Sequence, residues 1–389
     1  MTIKLMNELE ISEKKVLIRT DLNVPIENGI IKSDARILAA IPTIKLAIEK
    51  NAKVIVMSHL GRPVEGYYSE KYSLLPVFEY LKKKLNKTKI YFSRNYFDNI
   101  SINPGEVLIL ENVRFNKGES ENSDELSKKY SSLCDVFVMD AFGSAHRMQS
   151  STYGIGKFVK IACAGLLLMS EINALKKALK KPKRPMISII GGSKVSTKFN
   201  VLNELSKISD TMIVGGGIAN TFLAINHKIG KSLHQPEFIS TAKKLLDTYN
   251  IVIPIDSRVG KHFNNTSESI NKLPSDILED EEIMDFGDET IKKTVNIIKK
   301  AKTIIWNGPV GVFEFPNFRK GTEFIAKAIA NNNGFSIAGG GETLSVIDMF
   351  NIKEHISYIS TGGGAFLKFI EGKKLPAIQM LENNFKKQF

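Results

Sequence analysis

The chain alternates short apolar runs with longer segments whose apolar residues recur every three or four positions. Runs of four or five such residues, bounded by glycine or polar clusters, read as strands buried on both faces of a parallel sheet. In the first half they cover residues 16–19, 54–58, 90–92, 107–111 and 136–140, with helical periodicity over 36–50 and 74–85 between them. In the second half they recur near 186–190, 211–214, 251–254, 303–306, 335–338 and 356–359. This alternation predicts an α/β fold of parallel sheets flanked by helices. The most apolar stretch, 161–169, is too short to span a bilayer. It runs into a helical stretch over roughly 164–179, which Pro182 and Pro185 stop. Residues 164–185 therefore read as the connection between two domains, 1–169 and 186–375. The length of 389 residues also exceeds what one core usually supports.

Glycine changes the picture of the second half. Four of its apolar runs end in Gly191-Gly192, Gly215-Gly216-Gly217, Gly339-Gly340-Gly341 and Gly362-Gly363-Gly364, whereas no Gly-Gly pair precedes residue 191. Glycine at a strand's carboxyl end lets backbone N–H groups approach a ligand, and a helix starting there turns its dipole on a phosphate. The standard signatures are absent. Ile225 stands where a Walker A motif before Gly230-Lys231-Ser232 needs glycine, and Gly215 to Asn220 lacks the third glycine of a dinucleotide fingerprint. Lys194 and Lys198, four residues apart, Trp306 to Glu314, and Glu342-Thr343 after the third cluster together point to a magnesium nucleotide.

In the first half the strand ends are polar. Asp21 and Asn23 follow the first strand, His59 and Arg62 the second, Arg114 the fourth, and His146 and Arg147 the fifth, while Arg36 opens the first helix. In open α/β sheets ligands sit beyond the carboxyl ends of the strands. Only nine of the 54 basic residues are arginine and six of the nine precede residue 150, so four of them at one sheet edge imply a small polyanion.

The net charge of +13 is spread as lysine over both halves, which reads as solvated helix faces rather than a nucleic-acid surface. Cys134 and Cys163 match no metal or redox spacing, and the acidic N-terminal segment does not read as a signal peptide. A cytoplasmic protein without membrane or nucleic-acid partners is expected.

These segments resemble the phosphoglycerate kinase family along the whole chain. The resemblance is carried by Val16 to Pro25, by Leu375-Pro376-Ala377, and by 58–63, 111–119, 140–147, 306–314 and 360–365, in the family's order and spacing. It implies two Rossmann-like domains facing across a hinged cleft, with the tail at about 376–389 returning to the first. It implies a monomer that transfers a phosphoryl group directly between 1,3-bisphosphoglycerate and Mg-ADP, giving 3-phosphoglycerate and ATP, in glycolysis and gluconeogenesis. Asp21, Asn23, Arg36, His59, Arg62, Arg114 and Arg147 resemble the 3-phosphoglycerate site, with Arg36 reaching the phosphoryl in flight. Lys198, Gly216, Asn307, Glu314, Gly340, Gly341, Glu342 and Thr343 resemble the nucleotide site. Lys194, Gly362 and Gly363 resemble the groups around the transferring phosphoryl, and Glu342 stands at the Mg²⁺ ligand.

The chain departs from the family at Glu342, where aspartate is usual, and at Asn220, where an aromatic is common near the base. Leu22, Met139 and Ser144 replace phenylalanine, asparagine and threonine; at Met139 this removes a polar group beside the crevice. Two other readings, a dinucleotide-dependent oxidoreductase and a nucleic-acid-binding protein, lack their motifs.

Overall fold

The computed structural model describes residues 3–387 apart from Asn99 and Lys194. The chain forms two compact units, Met1–Asn173 with Lys374–Phe389, and Ala174–Lys373. In the first, six strands make an all-parallel sheet: β1 (Lys15–Arg19), β2 (Lys53–Met57), β3 (Ile90–Ser93), β4 (Val107–Leu110), β5 (Val136–Met139) and β6 (Ile161–Ala164). Their spatial order is β3-β4-β2-β1-β5-β6. Alternate residues of the central strands, such as Val16, Ile18, Val54 and Val56, join one core with Ile37, Ile44 and Ala47 of α1 (Ala35–Glu49) and Val77 and Leu81 of α2 (Leu75–Lys84). Leu17, Ile55 and Phe137 point the other way and are equally buried, so both faces are covered, as a parallel sheet requires.

The first unit departs from the sequence expectation at residues 161–164. This segment is the strand β6, paired with β5 and joined on its other side to Leu5 by a single bridge at Ala164, and the helix α4 begins later, at Leu166–Leu179. A short apolar run of Ile-Ala-Cys-Ala continuous with an apolar helix has no period that separates the two. The C-terminal helix (Pro376–Lys386) covers β6: Asn384 Oδ1 accepts from Ala162 N at 2.9 Å, and its Nδ2 donates to Val159 O at 3.1 Å.

The second unit repeats the plan with β7 (Met186–Ile190), β8 (Thr211–Val214), β9 (Ile251–Val252), β13 (Thr303–Asn307), β14 (Phe335–Ala338) and β15 (Tyr358–Ile359), ordered β9-β8-β7-β13-β14-β15 and all parallel. Between β9 and β13 the chain adds a three-stranded antiparallel sheet of β10 (Ser257–Gly260), β11 (Ile270–Lys272) and β12 (Glu282–Phe286), which the apolar pattern does not predict. The reason is composition: β11 is polar and largely exposed, and buried β10 carries Arg258, whose charge Asp288 meets at 2.7 Å. Among the described residues no helix is long and apolar enough to cross a membrane.

Candidate active site

Parallel strands put all their carboxyl ends on one edge. In the first unit that edge carries the residues after β1, β2, β4 and β5. Asn23 N donates to Asp21 Oδ1 at 3.1 Å, and Asn23 Oδ1 accepts from Gly61 N at 2.8 Å, which ties the β1 and β2 loops together. Arg36, from the first turn of α1, donates to Asn23 O at 2.8 Å and lies 3.5 Å from Asp21 Oδ1. Arg114 donates to Gly61 O. Asn112 braces this arrangement, accepting from Leu60 N at 3.2 Å and Arg114 N at 3.0 Å, and donating to Leu60 O at 2.7 Å.

Electrostatics confirm that these side chains converge. Burial lowers the Arg114 pKa to about 10, helped by Arg147, Arg19 and Arg62 and opposed by Glu119. Arg147 is lowered by burial and by Arg62 and Arg36, with Asp21 opposing. Burial, then the charges of Arg19, Arg114, Arg147 and Arg36, hold His59 well below the usual imidazole value. Like charges are thus gathered at cost, with Asp21 and Glu119 as the acids offsetting them. Such a cluster is arranged to meet anionic groups.

In the second unit the strand ends run into helices. The helices α6 (Gly216–Leu223), α10 (Gly341–Met349) and α11 (Gly363–Ile370) each begin within a glycine cluster, and α5 (Val195–Ser206) begins just after the first. Beside them lies a pocket of about 350 Å³ walled by Gly192, Gly216, Gly311, Leu233, Glu314 and Glu342 among others. Gly192 has φ +98°, and a methyl group there would lie 2.5 Å from Glu342 Oε2 and 3.1 Å from Lys198 Nζ. A carboxylate and an ammonium therefore both face the bare backbone of Gly192. Lys198 itself is buried and donates to Gly191 O.

The other nucleotide candidates divide. Glu314 and Gly216 line the pocket. Asn307 and Thr343 are buried and work on the loops: Asn307 Nδ2 donates to Gly339 O at 2.6 Å, and Thr343 Oγ1 donates to Gly339 O at 2.9 Å and accepts from Gly308 N at 2.8 Å. Gly340 and Gly341 form the start of α10, and Gly362 and Gly363 that of α11, and none of the four lines the pocket. Asn220 is also buried, and its Nδ2 holds Leu233 O at 3.0 Å, so the residue that differs from the usual aromatic pins one wall of the pocket. Lys194 lies outside the described residues.

The phosphoglycerate kinase family model matches residues 6–373. The chain belongs to the phosphoglycerate kinase family. It is thereby a phosphotransferase. It is 77% identical over 386 residues to the phosphoglycerate kinase of Buchnera aphidicola subsp. Acyrthosiphon pisum (strain Tuc7), covering 99% of each chain. The enzyme of the same name from subsp. Schizaphis graminum is 74% identical over 388 residues, covering each chain completely. Among solved structures, phosphoglycerate kinase from Coxiella burnetii is similar with a TM-score of 0.92 at 45% identity, covering 98% of this chain and 99% of that one. The phosphoglycerate kinase from Pyrococcus horikoshii gives 0.84 at 32%, covering 99% and 100%.

Within the phosphoglycerate kinase frame, several supporting residues escape a reading by strand ends. Arg19 is fully buried at the end of β1, where it reads as one more strand residue. Arg319 donates to Phe313 O and Glu314 O, each at 3.0 Å, and Thr322 accepts from Gly311 N at 3.1 Å; both hold the pocket loop from the start of the helix that follows it, Lys320–Ala330. Met139 has no exposure and belongs to the sheet core rather than to the crevice.

Proposed function

We propose that this chain transfers a phosphoryl group between 1,3-bisphosphoglycerate and ADP, giving 3-phosphoglycerate and ATP, in line and without a covalent enzyme intermediate. The observation that carries the reading is the set of arginines 36, 62, 114 and 147, held together against their own repulsion at the strand ends of the first unit. In a phosphoglycerate kinase this set suits the phosphate and carboxylate of 3-phosphoglycerate. Arg62, Arg114 and Arg147 take the phosphate that stays; Arg36, braced by Asn23, faces the carboxyl and the group in transfer. Asp21 and Asn23 orient that arginine and the substrate hydroxyl, and His59, kept neutral, donates or accepts without adding charge.

On the second unit, Lys198 serves the nucleotide phosphates, the glycine walls and Leu233 the base, and Glu314 the ribose. Thr343 and Asn307 act by shaping the glycine turns. Magnesium fits this donor set: Glu342 turns a hard oxygen into the space over Gly192. Among the described residues no cluster of three or more acidic, histidine or cysteine side chains could hold an ion, so the metal would share Glu342 with the phosphates, as magnesium commonly does. Bound there, it neutralises phosphate charge. Transfer between ligands carried by different units requires bringing them to reacting distance and excluding water. Lys194, Gly362 and Gly363 are assigned to the transferring group by family resemblance alone, as are a monomeric state and a cytoplasmic setting.

The test is a coupled assay with 3-phosphoglycerate, Mg-ATP and a dehydrogenase that consumes 1,3-bisphosphoglycerate. Turnover dependent on both substrates is expected; its absence in the purified wild type would sink the reading.

A further inference from the structure

Beneath the arginine crevice of the first unit, a buried acid and a buried base are joined through a hydroxyl. Arg19 and Glu119 are both fully buried. Arg19 Nε donates to Ser151 Oγ at 3.0 Å, and Ser151 donates to Glu119 twice, from Oγ to Oε1 at 2.6 Å and from N to Oε2 at 3.1 Å. A serine hydroxyl has one proton; having accepted from Arg19, it gives that proton to Glu119. The chain of bonds therefore has one direction. At its other end Arg19 NH1 donates to Thr20 O, and NH2 reaches His59 Nδ1 at 3.2 Å. A guanidinium accepts nothing, so Nδ1 is the acceptor and the imidazole proton sits on Nε2.

A direct Arg–Glu fork would engage both side chains fully. Ser151 instead separates them, and the spare guanidinium edge is left for His59. We propose that Glu119 is a positioning residue: through Ser151 and Arg19 it fixes the orientation and tautomer of His59 without touching the substrate. The proposal rests on the assignment of His59 to the 3-phosphoglycerate site. Arg19, Arg114, Tyr96 and Tyr130 also face the carboxyl. Burial raises it to about 7 against the pull of Ser151, Arg19 and Arg114. Its neutral form is thus close at hand, and the uncharged Glu119→Gln should fold.

The test reads His59 directly. In free protein labelled with ¹⁵N-histidine, the His59 resonances are assigned by their loss in His59→Gln. The wild type should show an unprotonated Nδ1 and a protonated Nε2. In Ser151→Ala and in Glu119→Gln the tautomers should mix, and KM for 3-phosphoglycerate should rise about tenfold, the worth of one hydrogen bond to a charged group. In both variants kcat and KM for ATP should stay within twofold, and Ser151→Thr, which keeps the hydroxyl, should retain the wild-type signature. Unchanged His59 signals in both variants would overturn the proposal, as would an altered signal with unchanged KM. Loss of the signature in Ser151→Thr would remove the hydroxyl as the link. Because the spectrum is read without substrate, the relay can fail while kinase activity stands. An inactive wild type would instead refute the reaction.

Discussion

Replacing Arg36 with alanine separates a role in the transition state from one in folding, because the two costs differ in size. Among the contacts of the guanidinium are a 2.8 Å bond to Asn23 O and a 3.5 Å ion pair with Asp21, and its side chain is 33% exposed. Asp21 is buried, but the pair is long and its arginine partly open to water, so it is worth about 1 kcal/mol, and the bond to a carbonyl adds about as much again. The loss is partly offset, since Asp21 keeps its bond from Asn23 N. Arg36→Ala should therefore cost about 1–2 kcal/mol of stability, a few degrees in the melting of a unit this size. If Arg36 meets the phosphoryl group in transfer, its removal should slow kcat by about 10³–10⁵, or about 4–7 kcal/mol. The coupled assay in the 3-phosphoglycerate direction, with calorimetric melting on the same samples, reads both quantities. Arg36→Lys should recover only part of the rate, because a point charge replaces a planar fork. A kcat within tenfold of wild type, with the whole effect in KM, would show that Arg36 binds the ground state only and refute the argument.

Three further perturbations address the second unit. Glu342→Asp should shift the balance between Mg²⁺ and Mn²⁺ in calorimetric titrations of ADP, since it withdraws the carboxylate by one methylene from the space over Gly192; an unchanged metal dependence would speak against ligation. Gly192→Ala should raise KM for ATP at least tenfold and leave KM for 3-phosphoglycerate alone. The added methyl group displaces Glu342 and Lys198, and φ +98° strains any L-residue by about 1–3 kcal/mol. Equal changes in both KM values would contradict this. Asp285, fully buried with Oδ2 on Gly321 N at 2.7 Å, is raised by burial to about 7. Between the unfolded value of 3.8 and 7 the folded state keeps a proton that the unfolded state has lost, so stability falls as pH rises through that window and levels off above it. From pH 5.5 to 7 the fall should be about 2 kcal/mol. Asp285→Asn should lack this share, so the stability difference between the two proteins should change by about 2 kcal/mol over that pH range, as denaturant melting of both at each pH will show.

Much of the fold is legible because a parallel sheet buries both faces. Strands such as β1, β2 and β13 are then apolar runs between polar ends, and β7, interrupted only by Ser188, runs into glycine. What escapes the pattern breaks that rule. β6 is a strand of small residues running into an apolar helix, and β10–β12 pair antiparallel through Ser257, Arg258 and Asn271, residues that read as loop. No local signal marks a strand whose buried Arg258 is met by Asp288 from the helix after β12.

The site is unevenly legible for a different reason. On the proposed reading the first unit would hold an anion with side chains, so its ligands are rare residues, and arginine at a strand end identifies itself. Gathering those charges requires compensation. Glu119 supplies part of it from a buried position that sequence spacing does not relate to Arg19 or His59. On the same reading the second unit would hold phosphate largely with backbone, whose groups carry no residue name, and what the sequence displays are mostly the residues that fold that backbone. Asn307 and Thr343 are of that kind: Asn307 spends its side-chain hydrogen bond on Gly339, and Thr343 spends its own on Gly339 and Gly308. Substituting them should loosen the glycine turns as a set, whereas losing Lys198 removes one charge from a wall that otherwise stands. A motif in a backbone-built site thus marks the turn it stabilises as often as the atom that touches the ligand.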